Sequence, residues 1–399
     1  MYPSLFELFQ DLFGIEINAL RLFQMFGTIV AIAFLLCAYV FAKELRRKEA
    51  EGKLTATFRK VLKGAKVSTN ELAGQFIFGY IVGWKLLSIP FYSDLFNADP
   101  RGYILSSEGS HVLGLLVGAA MTYWKYRTAE KERLPEPKEI TEKMSPAEHV
   151  GNMTLLAALF GFLGAKIFHL LENFSDFIED PAGMFLSFGG LTMYGGLIMG
   201  GAAVLIYARK QGFSLLQVMD ACAPGLFLAY GVGRLGCHMA GDGDWGIVNT
   251  GPKPYWMGFL PDWFWAYDYP NNVNHDCNPY IEGTPEFFMN MFCDFETTPH
   301  LVAPVFPTPL YEAIACIGLF FIFWYFRKRI VIPGLLFSLY LIFNGMERFF
   351  VELIRVNTTL FSVGGFRVTQ AEVIALTLMT LGIVGVILTR KRYRAQHAG

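Results

Sequence analysis

LLQVMDACAPGLFLAYGVGRLGCHMAGDGDWG, residues 215–246, holds the features that decide the fold of this chain. It begins as an apolar segment long enough to cross a bilayer as a helix. It ends in a polar loop, and its second half places Arg234, Cys237, His238 and two aspartates among six glycines. Reactive and charged groups therefore sit at the edge of a predicted membrane span.

The composition of the whole chain agrees with a membrane protein. Of its 399 residues 53% are hydrophobic and only 17% are charged, with a mean hydropathy of +0.38, whereas soluble chains carry about 25% charged residues. Several long apolar runs predict an all-α, polytopic helical membrane protein with about nine transmembrane helices. The predicted spans lie near 18–42, 71–92, 109–126, 148–174, 189–208, 215–240, 306–326, 332–354 and 369–389.

Basic residues predict the orientation of these spans. Lys and Arg concentrate on alternate connections, whereas the loop 241–305 contains Lys253 as its one basic residue. Because cytoplasmic loops are enriched in Lys and Arg, this pattern predicts a periplasmic N-terminus, a cytoplasmic C-terminus and a periplasmic loop 241–305. The first residues show no cleavable signal peptide and read as an amphipathic surface helix.

An internal repeat divides the chain. GWKLLSIPFYSDLFNADPRGYILSSEGSHVLG (83–114) matches GAKIFHLLENFSDFIEDPAGMFLSFGGLTMYG (164–195), with Lys85 on Lys166. Both copies face the same way, so the repeat is a duplicated helical hairpin rather than the inverted repeat typical of transporters. We expect the two lysines to be structural charges. The predicted parts are 1–70 with the surface helix and first span, 71–147 with the extra hairpin, and the membrane core 148–399.

Two arginines are predicted to lie inside the bundle. Arg348 shares one helix face with Asn344, Glu352 and Arg355, and Arg234 lies late in its own span. A buried arginine costs roughly 2.5–3.5 kcal/mol, so it normally has a partner or a function. Arg348 and Glu352 could form an intrahelical ion pair, and Arg234 could extend to the interface. Alternatively, both guanidinium groups bind a phospholipid phosphate.

Cysteines and one tyrosine complete the candidate residues. Cys277 and Cys293 share the predicted periplasmic loop, where oxidation is permitted, and we expect a disulfide between them, two unpaired thiols being the alternative. The remaining four cysteines lie within predicted spans and suit small buried positions. Tyr194, in a glycine-rich apolar stretch, could donate to a lipid headgroup or anchor at the interface.

These motifs together resemble the phosphatidylglycerol–prolipoprotein diacylglyceryl transferase family over about 148–389. GVGRLG with the following GD and WG is similar to the family's GRxGN…E…WG signature, and SFGGLTMYGGLI is similar to its GGMSFHGGLI segment. FPTPLYEA is similar to HPSQLYE, and GLLFSLYLIFNGMERFFVELIR is similar to the late span that carries R…VEFFR. Four motifs in the right order make the resemblance specific.

The resemblance implies a reaction and a set of site residues. Family enzymes take a diacylglyceryl group from phosphatidylglycerol and add it to the lipobox cysteine of prolipoproteins, the first step of bacterial lipoprotein maturation. The implied location is the inner membrane, with the active site toward the periplasmic leaflet. The implied partners are phosphatidylglycerol, prolipoprotein signal peptides and membrane lipids, with no nucleic acid, cofactor or metal. By motif position, the site residues are Arg234, Arg348, Asp242, Gly246 and Glu352.

The chain departs from the family pattern at several positions. Tyr194 stands where the family often has histidine, Cys237 replaces the signature asparagine, and Asn344 replaces a late-span tyrosine. Phe306 replaces the histidine of HPSQLYE, and Phe26 replaces an aromatic that is usually tyrosine. Cys237 and Asn344 are still predicted to lie along the bound phosphatidylglycerol. The hairpin 71–126 is an addition to the more usual seven spans.

The implied chemistry needs no enzyme nucleophile, because the substrate thiolate attacks the glyceryl carbon. A free thiol has a pKa of about 8.5, so a base is required, and His238, Asp242 and Tyr194 are the candidates. Arg234 and Arg348 would stabilise the phosphate leaving group. Two other classes remain open: a non-catalytic protein that binds lipid or lipoprotein precursors, and a lipid or anion transporter.

Overall fold

The computed structural model describes residues 1–186, 190, 192–277, 295–356, 359–363 and 366–397, and most of them are helical. The helices of the first half are α1 (Leu5–Phe13), α2 (Met25–Ala50), α3 (Thr69–Ile81), α4 (Ser93–Ala98), α5 (Pro100–Leu105), α6 (His111–Lys131), α7 (Val150–Glu172), α8 (Phe174–Glu179) and α9 (Pro181–Leu186). Those that follow are α10 (Met193–Lys210), α11 (Leu215–Ala240), α12 (Thr308–Phe326), α13 (Leu335–Glu352) and α14 (Gln370–His397).

Six helical segments of the described chain are long and apolar enough to cross a membrane. They are Met25–Ala50, Thr69–Phe91, Pro146–Glu172, Leu215–Ala240, Thr308–Phe326 and Gln370–Gln396. The other three predicted spans coincide with α6, α10 and α13, which are helices outside this set. In α13, three ionisable side chains near the C-terminal end lower the apolar character of the helix.

The structure is mostly helical, as the all-α prediction requires, but it also contains two small sheets that the sequence did not predict. Strands β1 (Thr57–Lys63) and β2 (Lys138–Met144) pair in one two-stranded sheet, and β3 (Thr359–Val363) pairs antiparallel with β4 (Phe366–Thr369) in another. β1 and β2 are rich in charged residues, which gave no strand signal in the sequence. Their pairing joins segments far apart in the chain, which local pattern does not reveal.

The chain forms two compact units. One contains Met1, 26–57 and 144–399, and the other contains 2–25 and 58–143. In the second unit α3 packs against α6, and in the first α7 packs against α10. The second unit also contains α1, whose first turn is closed by a capping box between Ser4 and Glu7.

The two copies of the repeat contain corresponding helices. The short helices α4 and α5 have the same lengths as α8 and α9 and lie 81 residues earlier. Gly83 likewise lies 81 residues before Gly164. A Cβ on Gly83 would lie 2.4 Å from the Leu113 carbonyl oxygen, and one on Gly164 would lie 2.4 Å from the Gly195 carbonyl oxygen. Both hairpins therefore depend on the same close backbone approach.

Lys85 has the structural role that the repeat suggested. Its Nζ atom donates to the carbonyl oxygens of Tyr103, Ser106 and Glu108, at 2.9, 2.6 and 2.6 Å. The ammonium group also lies over the rings of Trp84 and Tyr103. Lys85 thus closes the connection between the two helices of its hairpin.

In the larger unit, α11 packs against α12 and α13. Phe227, Phe320, Phe323 and Leu336 are part of the apolar core between these helices. A Cβ on Gly231 would lie 3.0 Å from the Ala313 carbonyl oxygen, so glycine lets α11 and α12 approach closely at that level. Arg234 comes nearly one helical turn after Gly231 and is thereby brought to the face of α12.

The described part of the loop 241–305 is folded. Trp245, Tyr269, Leu301 and Val305 form a small core, and Val305 exchanges backbone hydrogen bonds with Tyr267. Cys277 is disulfide-bonded, while Cys293, its predicted partner, lies outside the described residues. The loop is therefore an ordered structure attached to the ends of α11 and α12.

Candidate active site

Arg234 makes two ion pairs inside the larger unit. Its Nε atom lies 2.7 Å from Oε2 of Glu312 on α12, and its Nη1 atom bonds to Oδ2 of Asp244. Only 8% of the arginine is exposed. The alternative that Arg234 extends to an interface is therefore wrong, because both contacts hold the guanidinium group within the protein.

Arg355 completes a closed set of charges. It follows the end of α13, and its Nη1 atom lies 3.1 Å from Oε1 of Glu312 while Nη2 bonds to Oδ1 of Asp244. Each carboxylate thus bridges two arginines, and each arginine bridges two carboxylates. We call Arg234, Asp244, Arg355 and Glu312 the ion ring. Its formal charges cancel, and Glu312 is fully buried.

Neighbouring residues fix the geometry of the ion ring. The Tyr230 hydroxyl donates to Oε2 of Glu312 at 2.7 Å, and the Thr308 hydroxyl donates to the Asp244 backbone oxygen at 2.8 Å. Bidentate, charge-assisted hydrogen bonds of this kind hold an arginine in a defined orientation. The ion ring is therefore a rigid element that ties the end of α11 to α12 and to the chain after α13.

Gly246 allows the chain segments around the ion ring to meet. Its N–H donates to the Phe306 carbonyl oxygen at 2.8 Å, and the following Ile247 N–H donates to the Ile354 carbonyl oxygen at 2.9 Å. A Cβ on Gly246 would lie 2.4 Å from that Ile354 oxygen. Gly246, predicted to line the substrate, has a close backbone contact that places Arg355 beside Asp244.

The two aspartates after α11 have opposite electrostatic character. Burial opposes the ionisation of Asp244, but the charges of Arg355 and Arg234 outweigh it and lower the pKa of that carboxyl. Burial, together with the charge of Asp244, raises the pKa of Asp242. By motif position the resemblance implied Asp242 as the site aspartate, and the residue that pairs with Arg234 is Asp244.

Arg348 and Glu352 form the predicted intrahelical ion pair. The Nη2 atom of Arg348 lies 2.9 Å from Oε2 of Glu352, and Oε1 of Glu352 accepts from the Thr369 hydroxyl at 2.6 Å. The charge of Arg348 also contributes to the lowered pKa of Asp244, so the two groups lie within electrostatic range. Glu352 thus holds Arg348 on the side of the ion ring.

One guanidinium group keeps a buried donor that the described residues do not use. Nη1 of Arg348 is buried and has no hydrogen-bond partner in the described chain. Arg234, by contrast, contacts the two ring carboxylates through Nε and Nη1. A buried donor without an acceptor is costly, which indicates that an external acceptor belongs there.

The remaining predicted residues surround this region. The buried thiol of Cys237 lies 3.9 Å from Nη1 of Arg234 and shares a hydrogen bond with Asp242. Nδ1 of His238 lies 3.1 Å from the Tyr269 hydroxyl in the aromatic core of the loop. Tyr194 is within electrostatic range of Arg348, and Asn344 is half-buried on α13.

Ligand atoms of Cys237, Asp242 and Asp244 lie within 4.8 Å of one another, a spacing compatible with a metal ion. Both carboxylate oxygens of Asp244 are already bonded to arginines. The charges of Arg234 and Arg355 would also repel a cation. The donor set therefore fits the ion ring better than a metal.

Sequence reasoning missed Glu312, Asp244 and Tyr230 as members of the site. Glu312 is the one charged residue of α12, and an isolated acid in a predicted span is a signal for a buried pair. Asp244 lies two residues after Asp242, and the motif comparison assigned the signature acidic position to Asp242 instead. Arg355 was assigned to the α13 face, but α13 ends at Glu352, and the chain then turns toward Asp244.

Apolar helices of spanning length around a buried, internally paired charge cluster define an integral membrane protein with a polar site inside its helical bundle. A model of the prolipoprotein diacylglyceryl transferase family matches residues 110–388, and the chain belongs to that family. The match confirms the resemblance found in the motifs, and with it the class of transferase.

Curated relatives agree with the family. The chain is similar to phosphatidylglycerol–prolipoprotein diacylglyceryl transferase of Staphylococcus carnosus, with 29% identity over 304 residues, 76% of this chain and 94% of the relative. The enzyme of the same name from Streptococcus uberis is 26% identical over 258 residues, 64% of this chain and 84% of the relative. That of Clostridium tetani is 26% identical over 209 residues, 52% of this chain and 69% of the relative.

Proposed function

We propose that this protein transfers a diacylglyceryl group from phosphatidylglycerol to the lipobox cysteine thiol of prolipoproteins. The observation that carries the proposal is the buried, unused Nη1 donor of Arg348 near the ion ring, in a chain of the diacylglyceryl transferase family. The substrate phosphate is the acceptor that this donor lacks. The product phosphate leaves as glycerol phosphate.

In this proposal the ion ring positions Arg234, and Glu352 positions Arg348. Nη2 of Arg234 and Nη1 of Arg348 then bind the phosphate of phosphatidylglycerol. Because both arginines are held by carboxylates before substrate arrives, little reorganisation is needed when negative charge develops on the leaving group. Cys237, Asn344 and Gly246 lie around this phosphate position in the proposed complex.

Among the three candidate bases, Asp242 has the strongest physical support. Its pKa is raised by burial and by the charge of Asp244, and a raised pKa makes a carboxylate a better acceptor for a thiol proton. His238 bonds to Tyr269, which suits a positioning role in the loop. Tyr194 lies within electrostatic range of Arg348 and suits a contact with the lipid headgroup.

The alternating Lys and Arg content of the connections supports a topology with nine spans, a periplasmic N-terminus and a cytoplasmic C-terminus. In that topology the loop 241–305 is periplasmic and the site opens toward the periplasmic leaflet of the bacterial inner membrane. Prolipoprotein signal peptides, which reach the membrane from the exported side, would approach there. The hairpin 71–126 is an addition to the seven spans more usual in the family.

The experiment incubates purified protein in nanodiscs containing phosphatidylglycerol with a lipobox peptide, followed by mass spectrometry of the peptide. We expect a gain of one diacylglyceryl group with the wild-type protein, and none with a peptide whose cysteine is replaced by serine. Arg209→Ala, an exposed change on α10, is the matched control and retains transfer. A wild-type protein that binds lipid but never modifies the peptide would support the non-catalytic binding role instead.

A further inference from the structure

A second buried acid lies next to Arg348, and no contact described above uses it. Glu347 is 8% exposed on α13, and both of its carboxylate oxygens are buried without a hydrogen-bond partner among the described residues. Burying an isolated ionised carboxylate is very unfavourable, so such a group keeps its proton or meets a ligand. An unpartnered polar side chain inside a lipid-binding site points to substrate.

The surroundings of Glu347 are those of the proposed phosphate site. Glu312, Arg234, Arg348 and Arg355 lie within electrostatic range of its carboxyl group. Cys316 on α12 is also within that range. Glu347 therefore belongs to the charged interior formed by α11, α12 and α13 and is not an isolated structural residue.

The paired charges of this interior leave no surplus positive charge to stabilise the leaving phosphate. Arg234 and Arg355 are balanced by Asp244 and Glu312, and Arg348 is balanced by Glu352. The described ion pairs thus provide no surplus positive charge. When the bond between the glyceryl carbon and the phosphate oxygen breaks, the phosphate gains a second negative charge, which the paired arginines stabilise only through hydrogen bonds.

We propose that Glu347 is a general acid, which donates its carboxyl proton to the departing phosphate oxygen. The inference rests on the proposed transfer function. The Nη1 donor of Arg348 and the Glu347 carboxyl, which lie within electrostatic range of each other, would contact the same phosphate group. Proton donation to the leaving group replaces the missing positive charge, and positioned acids of this kind accelerate reactions by about 10²–10⁴-fold.

The proposed step conserves atoms, electrons and protons. The lipobox sulfur forms a bond to the glyceryl carbon, and its proton passes to the base, for which Asp242 is the proposed residue. The carbon–oxygen bond breaks with its electron pair on the phosphate oxygen, which takes the proton of Glu347. Glycerol phosphate leaves as a monoanion, and solvent returns the proton from the base to Glu347.

The test compares two lipid substrates on full-length protein in nanodiscs. One is phosphatidylglycerol, and the other is an analogue with sulfur in place of the oxygen between the glyceryl carbon and phosphorus, whose thiophosphate leaving group needs no proton. Glu347→Gln keeps the size of the side chain and removes the acid. We expect kcat to fall about 10²-fold or more with phosphatidylglycerol, and less than about threefold with the sulfur analogue.

Controls separate this inference from a structural effect. Met346→Leu, the exposed neighbour on α13, should retain kcat on both lipids, and thermal unfolding of Glu347→Gln should match the wild type. Equal losses on both lipids would show a structural role and overturn the assignment, as would unchanged kcat on phosphatidylglycerol. If the wild-type protein transfers nothing from either lipid, the proposed function fails first.

Discussion

Glu312 is the residue on which the ion ring depends most, and its isosteric change Glu312→Gln is the sharpest perturbation. The carboxylate accepts from Arg234, Arg355 and Tyr230 and is fully buried. Removing one partner of a buried ion pair costs about 3–5 kcal/mol, because uncompensated charge is left behind. We take the lower end, about 3 kcal/mol, because Asp244 still contacts both arginines.

That magnitude can be measured as a change in thermal stability. With an unfolding entropy of about 2.1 cal/mol/K per residue, 1 kcal/mol corresponds to a Tm shift of about 1–1.5 °C for a chain of 399 residues. We therefore expect Glu312→Gln to lower Tm by about 3–5 °C in detergent micelles. Diacylglyceryl transfer should fall by about 10²-fold or more, since small displacements of a positioned group have effects of that order. Both quantities come from one preparation, by scanning fluorimetry and by mass spectrometry of the peptide.

Asp262→Asn is the matched control, because it breaks an ion pair with Lys253 in which the aspartate side chain is 95% exposed. Exposed pairs contribute little to stability, so Tm should stay within about 2 °C of the wild type. If Glu312→Gln shifts Tm no more than Asp262→Asn, the ion ring does not hold the site together and the reasoning fails.

Three further outcomes follow from the site. The folded pKa of Asp244 lies below its ordinary value of 3.8, so the stability that its carboxylate contributes is complete above that pH and is lost as pH falls through the lowered pKa. The difference in Tm between the wild type and Asp244→Asn should therefore be constant near neutral pH and disappear in strong acid. A difference that grows as pH falls would contradict this. Gly246→Ala should lower Tm and transfer together, since the new Cβ would meet the Ile354 oxygen at 2.4 Å, whereas Gly201→Ala, at a position with open space, should change neither. If Asp242 is the base, transfer by the wild type should rise with pH as its raised pKa is passed, and Asp242→Asn should lose both the rate and that rise; an unchanged profile would assign the base elsewhere.

Local patterns were sufficient to predict much of the fold. The repeat that aligns Lys85 with Lys166 identified the duplicated hairpin, because each copy is built from residues close together in the chain. The Arg348–Glu352 pair was also predictable, since a spacing of four residues on a helix makes contact almost unavoidable. Periodicity and composition determine such features before any tertiary contact forms.

The ion ring was beyond that reasoning because its four members come from four segments. Asp244 and Glu312 are joined through Arg234 and Arg355, and neither the approach of α11 to α12 at Gly231 nor the turn after α13 has a local signal strong enough to place them. The β1–β2 pairing was missed for the same reason. Pairing between distant segments depends on tertiary packing.

In the proposed site, the ion ring and Glu352 hold Arg234 and Arg348 so that both can bind a phosphate. Phosphorus NMR of phosphatidylglycerol in nanodiscs measures that contact directly. We predict a distinct bound-phosphate resonance with wild-type protein, weakened by Arg234→Ala or Arg348→Ala and abolished by the double change, while Arg209→Ala leaves it unaltered. A bound resonance that persists in the Arg234→Ala, Arg348→Ala double variant would contradict the account.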